Sequence, residues 1–400
     1  MANAINTHQM IAREAVKMLL EDDNLIPNIN TGRSDEFTSA VNGYKKGSYV
    51  DISVPPVTPV YDGATFAGGG SAPDQNETKV RLDLDTQKHI PLTFTAKEKL
   101  LDITEYKERF LRPAMSSLMS GVRADLLVRF KDLTPNVVGT WGTVPATRLV
   151  WGQARASLER GLADADMRTA LFSSDANLNL VEANAALFNS QRAIEAQYRK
   201  GLVGSFASLD YFEDQSIPLH TNGAGNGAYV VNGAGQTGSS LAVITGAGAI
   251  TKGSIFTIAN VFAVHPITGV STGVLRQFLV TADYVGGAGS IAISPAITVT
   301  SASVIGTVNA GPAASAAITI FGTLSQAKRQ NLVFQKNAFT AAFAPLPVLA
   351  SCEGYTATMN GVSVRVMSFG NGLTDTESTR IDVLYGCAAT RPDWAVRVTE

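Results

Sequence analysis

The sequence predicts an α+β chain in which a long all-β segment interrupts a framework of helices and strands, and three observations predict it. Apolar residues recur at helical spacing near the N-terminus and again between Ile103 and Leu133. They recur at period two in other runs, of which Val50, Ile52 and Val54 form the first. Between Gly223 and Thr323 the only charged side chains are Lys252, Arg276 and Asp283, and β-branched runs alternate there with glycines. At 400 residues the chain exceeds what one core usually encloses, so two or three domains are expected.

From about Thr7 to Leu20, Ile11, Ala15, Met18 and Leu19 mark one apolar helix face, with Arg13, Glu14 and Lys17 between them. This helix ends in Glu21-Asp22-Asp23. The segment after it holds Pro27, Gly32 and several Asn without periodicity, and reads as an extended arm. Val50, Ile52 and Val54, and then Val80, Leu82 and Leu84, alternate with polar residues and predict the two strands of a long hairpin. The connection "TPVYDGATFAGGGSAPDQNE" is longer than a tight turn requires and predicts a projecting tip. Beyond it, Ile103, Tyr106, Phe110, Ala114, Leu118, Leu126 and Phe130 lie near helical spacing, and Pro113 either kinks that helix or starts its main length. Residues 147 to 222 mix helix-like pieces such as "TRLVWGQARASLERGLAD" and "ANAALFNSQRAIEAQYRKG" with short apolar runs. The charge-poor segment carries "SIFTIANVFAV", "LRQFLVTADYV", "SIAISPAITVT" and "AAITIFG", short strands at the spacing of a small barrel or sandwich. Charge returns at Lys328-Arg329, and "VSVRVMS" and "STRIDVLYG" supply further strands.

No motif in the chain points to catalysis. Gly233, Gly235 and Gly238 have the G-x-G-x-x-G spacing, yet no helix pattern follows and no acidic residue comes before Asp283, so the glycines read as β-turns rather than a dinucleotide loop. His8, His89, His220 and His265 each lack a partner at metal-ligand spacing and read as bystanders. The acidic pairs Asp83 and Asp85, and Asp164 and Asp166, fit a strand's solvent face and a turn. No nucleophile elbow and no phosphate-binding loop occurs, so neither catalytic, cofactor nor metal residues are assigned. Cys352 and Cys387 are too far apart for a redox or zinc pair and predict free thiols in a reducing compartment. A net charge of −2 argues against general attraction to nucleic acid or anionic membrane. The start "MANAINTHQMIAREAVKMLLEDD" is not a secretory signal, and no run of apolar residues is long enough to span a bilayer, so no export and no membrane partner are expected.

The runs "FTAKEKLLDITEYKERFLRPAMSSLMSGVRADLL", "EAQYRKGLVGSFASLDYFEDQSIPLHTNG", "KGSIFTIANVFAVHPITGVSTGVLRQFLVTAD", "QNLVFQKNAFTAAFAPL" and "IDVLYGCAATRPDWAVRV" together resemble, in order, podovirus-type major coat proteins of tailed bacteriophages, which have the Hong Kong 97-like capsid fold. The resemblance covers nearly the whole chain. It implies an N-terminal helix and arm at 1–44, an extended hairpin loop at 45–96, a spine helix with peripheral domain at 97–145 and the first part of an axial domain at 146–222. An inserted β-barrel at 223–326 and the C-terminal axial and peripheral parts at 327–400 complete the organisation. The implied role is structural, not enzymatic: a major capsid protein that self-assembles into pentamers and hexamers of an icosahedral shell around double-stranded DNA. The implied partners are further copies of the chain, a scaffolding protein, a portal protein and the packaged DNA, with a decoration protein as an optional addition and no cofactor. Assembly is expected in the bacterial cytoplasm, and the product is the virion capsid.

Glu14, Glu21, Asp22 and Asp23 are candidate contacts to a basic part of the scaffold. The hairpin tip at 59–77 is expected to order only in the shell. It contains no lysine, so the covalent crosslinking of some capsids of this fold is not carried over. The insert is poorer in charge than the family suggests, so its ionic intersubunit contacts are not carried over either. A nucleotide-dependent enzyme and a surface-layer or adhesin-type protein are the rival classes. The missing cofactor motifs count against the first and the missing signal against the second.

Overall fold

The computed structural model describes residues 8–21, 24–34, 40–41, 44–45, 49–55, 77–95, 107–184, 205–225, 228–301, 304–371 and 376–400. Helix α1 (His8–Glu21) buries Ala12, Ala15 and Val16 and turns Arg13 and Lys17 outward, as its periodicity requires. It packs on the antiparallel strands Glu353–Met359 and Val362–Asn371. The arm, read from the sequence as extended, carries one helical turn and packs against the body. Leu25, Ile26 and Ile29 are buried around a 3₁₀ turn at Ile26–Asn28, and Asn30 N–H donates to Phe339 O at 3.1 Å. Asn30 O accepts from Ala341 N–H at 2.9 Å. The arm is thus stitched to the strand Phe339–Ala344 by pairing with residues some 300 positions away.

Contacts divide the chain into two units, Met1–Ile52 with Val80–Leu126 and Phe339–Thr390, and Ser53–Lys79 with Leu127–Ala338 and Arg391–Glu400. In the first, the strand Thr376–Ala389 is the centre of a five-stranded antiparallel sheet. It pairs with Thr86–Thr95 along one edge and with Phe339–Ala344 and Val362–Asn371 along the other. The hairpin strands Tyr49–Val54 and Thr78–Asp83 pair with each other, with Val50, Ile52 and Leu82 inward. Most of the tip lies outside the described residues. The fully buried Asp382 carboxylate accepts from Arg365 Nη2 at 2.8 Å, Arg380 Nε at 2.6 Å and Gln87 Nε2 at 3.1 Å. These charge-assisted bonds tie the strands Thr86–Thr95 and Val362–Asn371 to the central strand Thr376–Ala389.

One π turn (Lys107–Leu111) precedes α2 (Arg112–Lys131), whose second residue is Pro113, so the proline starts the main length rather than kinking it. Ala114, Leu118, Leu126 and Phe130 are buried along it. The division between the units falls within α2. In the second unit a seven-stranded mixed sheet runs in the order Asn136–Val138, Ala395–Thr399, Ala327–Gln335, Arg168–Phe172, Leu209–Glu213, Ser205–Phe206. The seventh strand, Leu219–Thr221, pairs with the start of Ala327–Gln335. Helix α3 (Arg148–Arg160) covers this sheet with Trp151 and Leu158, and Trp151 meets Phe172 and Tyr211 edge to face at 5.8 and 5.5 Å. Helix α4 (Ser174–Asn184) has no counterpart in the sequence reading. It opens where Ser173 Oγ accepts from Ala176 N–H at 3.1 Å, an N-cap. Most of the helix-like piece expected at "ANAALFNSQRAIEAQYRKG" lies outside the described residues.

The charge-poor segment forms a six-stranded antiparallel sheet in the order Val230–Val231, Gly238–Ile244, Gly289–Ile297, Ser271–Val280, Ile255–Val264, Ile318–Ile320. Its first and last strands meet. Val231 N–H donates to Ala316 O at 3.0 Å and Ile318 N–H to Tyr229 O at 3.0 Å, which brings the sheet round into a nearly closed barrel. Inward residues such as Val231, Leu241, Phe256, Phe278 and Ile291 fill it. Phe256 and Phe278 are cross-strand partners with stacked rings 5.7 Å apart. Gly233, Gly235 and Gly238 all have positive φ in turns, and Gly238 opens a strand instead of a helix.

At Gly246 a Cβ would lie 1.9 Å from the buried Tyr229 ring. Gly246→Ala is therefore expected to overpack the barrel and destabilise it by about 1–3 kcal/mol. Urea unfolding of the full chain checks this, and an unchanged midpoint contradicts it.

Candidate functional site

Of the predicted scaffold-contact residues, Glu14 and Glu21 lie on α1. Glu14 is half-buried on a helix face that also carries Arg13 and Lys17, so this face is mixed in sign. Glu21 is the last residue of α1, and Asp22 and Asp23 lie outside the described residues. Among the described residues no cluster of His, Cys, Asp and Glu has the arrangement of a metal site. His265 Nδ1 accepts from Ile267 and Thr268 N–H at 3.3 and 3.2 Å and shapes a turn, and His89 is exposed on the hairpin strand. Asp83, Asp85, Asp164 and Asp166 are exposed.

A buried polar arrangement lies where the barrel joins its host sheet. Leu219, His220 and Thr221 pair with Arg329, Lys328 and Ala327, so the strand that leads to the barrel lies beside the strand that leaves it. Asn222 reinforces this closure: its N–H donates to Gln326 O at 3.2 Å and its Nδ2 to Phe321 O at 2.9 Å. Directly at this point α2 ends in Lys131. Its Nζ donates to Asp132 Oδ1 at 2.6 Å and lies 3.3 Å from His220 Nδ1.

A lysine ammonium has only donors, so His220 Nδ1 accepts and its proton sits on Nε2, facing Ser254 Oγ of the barrel at 3.4 Å. Trp141 stands edge-on to the imidazole at 6.3 Å. A Cβ on Gly253 would come within 2.5 Å of Asp132 Oδ1, so only glycine lets the barrel backbone approach this carboxylate.

Arg397 completes the cluster. It occupies the strand Ala395–Thr399 between Val396 and Val398, which face the Trp151 core, so its own side chain turns to the opposite face. It is 1 % exposed, and its Nε and Nη2 find no protein acceptor among the described residues. Burial pushes its guanidinium down to about 9, opposed by the Asp132 charge, and leaves it cationic at neutral pH. Burial likewise lowers Lys131, opposed by Asp132. His220 is pushed down to about 3, first by burial and then by the charges of Lys131 and Arg397, and is therefore neutral. One carboxylate thus serves two buried cations. The sequence signals were a Lys-Asp pair closing a long helix and an arginine inside "AVRV", neither distinctive without the pairing that brings them together.

Comparison with known proteins places this geometry. No curated protein sequence matches the chain. Among solved structures, a Mycobacterium phage Che8 structure is similar at 11% identity with a TM-score of 0.51, covering 93% of this chain and 89% of that one, and shares the fold. The asymmetric unit of the bacteriophage PhiM1 mature capsid matches at 9% identity and TM-score 0.44, over 88% of this chain and 82% of that one. The CUS-3 coat protein I-domain matches at 29% identity and TM-score 0.20, over 24% of this chain and 96% of that one.

Two outcomes are expected of the junction. Asp132→Asn leaves Lys131 and Arg397 without their carboxylate, so a loss of about 3–5 kcal/mol in denaturant unfolding is expected. A neutral effect would show that the cations find another partner. His220 has a folded value below its ordinary 6.5, so the unfolded chain binds its proton first. Its contribution is fully present above pH 6.5 and is lost as pH falls toward 3. The stability difference between the wild type and His220→Gln should accordingly change with pH across this window, and a constant difference would refute the assignment.

The family model that matches is P22 coat protein, gene protein 5, over residues 57–398, and the chain accordingly belongs to the P22 coat protein family, major capsid proteins of the Hong Kong 97-like fold that form the phage shell.

Proposed function

We propose that copies of this chain join as pentamers and hexamers and close into an icosahedral shell around the double-stranded DNA of a tailed bacteriophage. The observation that carries this reading is the coat-protein match across residues 57–398. Heterologous contacts, in which one surface meets a different surface of the next copy, generate rings and closed shells of this kind. A net charge of −2 suits a container, because a strongly basic lining would hold the duplex by counterion release. The role is structural rather than catalytic. In this reading, subunits gather on a scaffolding protein in the bacterial cytoplasm, DNA enters through a portal protein, and a decoration protein is an optional outer partner. No cofactor or membrane takes part.

The domain organisation proposed is a helix and arm at 1–44, a hairpin loop at 45–96, spine and peripheral parts at 97–145, axial parts at 146–222 and 327–400, and the insert at 223–326. The hairpin tip at 59–77 reaches over a neighbouring copy. Negative-stain microscopy of the chain coexpressed with its scaffold tests the function: closed shells of uniform size are expected, and only monomers or amorphous aggregate would contradict it.

For the scaffold contact we propose Glu14, Glu21, Asp22 and Asp23. Exposed ion pairs weaken as salt screens them, so scaffold incorporation should fall as ionic strength rises. Replacing all four with Gln or Asn is expected to lower incorporation and flatten its salt dependence. Unchanged incorporation in the fourfold variant would remove these residues from the contact.

A further inference from the structure

The strand Asn136–Val138 is the edge strand of the host sheet, paired in parallel with Ala395–Thr399 on one side only. Neighbouring residues of a strand aim their backbone groups at opposite edges, so Val137 presents its N–H and C=O away from its partner strand. In a bare edge these two groups template pairing with another chain. Here a side chain occupies them. Gln277 Oε1 accepts from Val137 N–H at 2.7 Å and Gln277 Nε2 donates to Val137 O at 2.9 Å. The carboxamide supplies one donor and one acceptor, and so replaces a single residue of a neighbouring strand.

Gln277 belongs to the barrel strand Ser271–Val280, and the residue before it makes a second attachment. Arg276 Nη2 donates to Asp393 Oδ1 at 2.6 Å, with Arg276 12 % and Asp393 39 % exposed. Asp393 is held just ahead of the strand Ala395–Thr399, where Trp394 Nε1 donates to Gly161 O at 2.8 Å. Beside these two attachments lies a cavity of about 90 Å³, lined by Val138, Ser157 and Arg160 of the host and by Val264, Pro266 and Leu275 of the barrel. This cleft is partly open to solvent, so the side chains that line it lack the dispersion contacts of a fully packed seam. This seam therefore combines two polar attachments with incomplete packing. The small apolar contact of Val137 with Ile255, Leu279 and Phe321 lies alongside.

We propose that Gln277 and Arg276 form a releasable latch, with Gln277 as the positioning residue that seats the barrel on the host sheet edge. Its purpose rests on the shell-building role proposed above: a chain that fills unequal positions in one shell needs a joint whose two arrangements differ little in free energy. Releasing this latch breaks one ion pair, two amide hydrogen bonds and the small apolar contact of Val137 with Ile255, Leu279 and Phe321, and leaves the two larger hydrophobic cores intact. The chain ends of the barrel remain held by the pairing of Leu219–Thr221 with residues 327–329.

Hydrogen exchange on the unassembled full chain tests the latch without any appeal to shell formation. Gln277→Ala is expected to speed exchange of the Val137 amide at least tenfold, while the amides of Leu241 and Ile291 in the barrel and Val333 in the host sheet keep their wild-type rates. Gln277→Glu, which retains the acceptor but loses the donor to Val137 O, should lie between the two. In the opposite direction, Val264→Leu fills the cavity wall and is expected to slow Val137 exchange. An unchanged Val137 rate in Gln277→Ala overturns the proposal, and so does equal acceleration of all four amides, which would make Gln277 an ordinary stabilising residue. Shells that fail to form from the wild-type chain would overturn the shell-building role while leaving the latch measurement as it stands.

Discussion

The second unit depends on one short ladder, the antiparallel pairing of Leu219, His220 and Thr221 with Arg329, Lys328 and Ala327. It returns the chain to the point from which it left. A segment inserted between neighbouring strands strains its host least when its ends lie together, and here they lie at hydrogen-bonding distance. The strand Ala327–Gln335 can then continue through the host sheet, pairing with Ala395–Thr399 and Arg168–Phe172 as if nothing had been inserted. The barrel in turn can close on itself, because its first and last strands begin and end near the same place.

Each unit contains a carboxylate placed near two cations: the buried Asp382 bonds Arg365 and Arg380, and the partly buried Asp132 bonds Lys131 and offsets the charge of the buried Arg397. Burying charges costs desolvation that their attraction seldom exceeds, so these clusters add little net stability. Their effect is on geometry. Asp382 fixes the register of the strand Thr86–Thr95 through Gln87, and Asp132 fixes where α2 ends against the barrel's base. Hydrophobic contacts tolerate sliding; a shared buried carboxylate does not, because a shifted register leaves at least one cation unpaired.

Local pattern carried most of the elements. The periodicity of Ala114, Leu118, Leu126 and Phe130 marks α2, and the runs around Phe256, Phe278 and Ile291 mark barrel strands, because each pattern is set by a face that must be buried. What the sequence hid was set by distant partners. Leu25, Ile26 and Ile29 have no period, and they are buried only because the Asn30 backbone pairs with the strand at Phe339 and Ala341. His220 reads as an isolated histidine, and its setting among Lys131, Asp132 and Ser254 comes from residues on two other segments. Arg397 alternates with Val396 and Val398 as a solvent-facing residue would, and it is buried because the barrel covers that face. The match to the coat-protein family needed long stretches of residues in order, not any single motif.

Among the described residues the barrel meets its host at a closed base, at a side latch and at the small apolar contact around Val137, and its own core makes it an independent fold. Excising residues 223–326 tests it most directly. About 100 residues enclose enough apolar surface for a core of their own. The account predicts that the fragment gives a dispersed β-type NMR spectrum and a sharp thermal transition. A disordered, non-cooperative fragment under conditions where it stays soluble would contradict it.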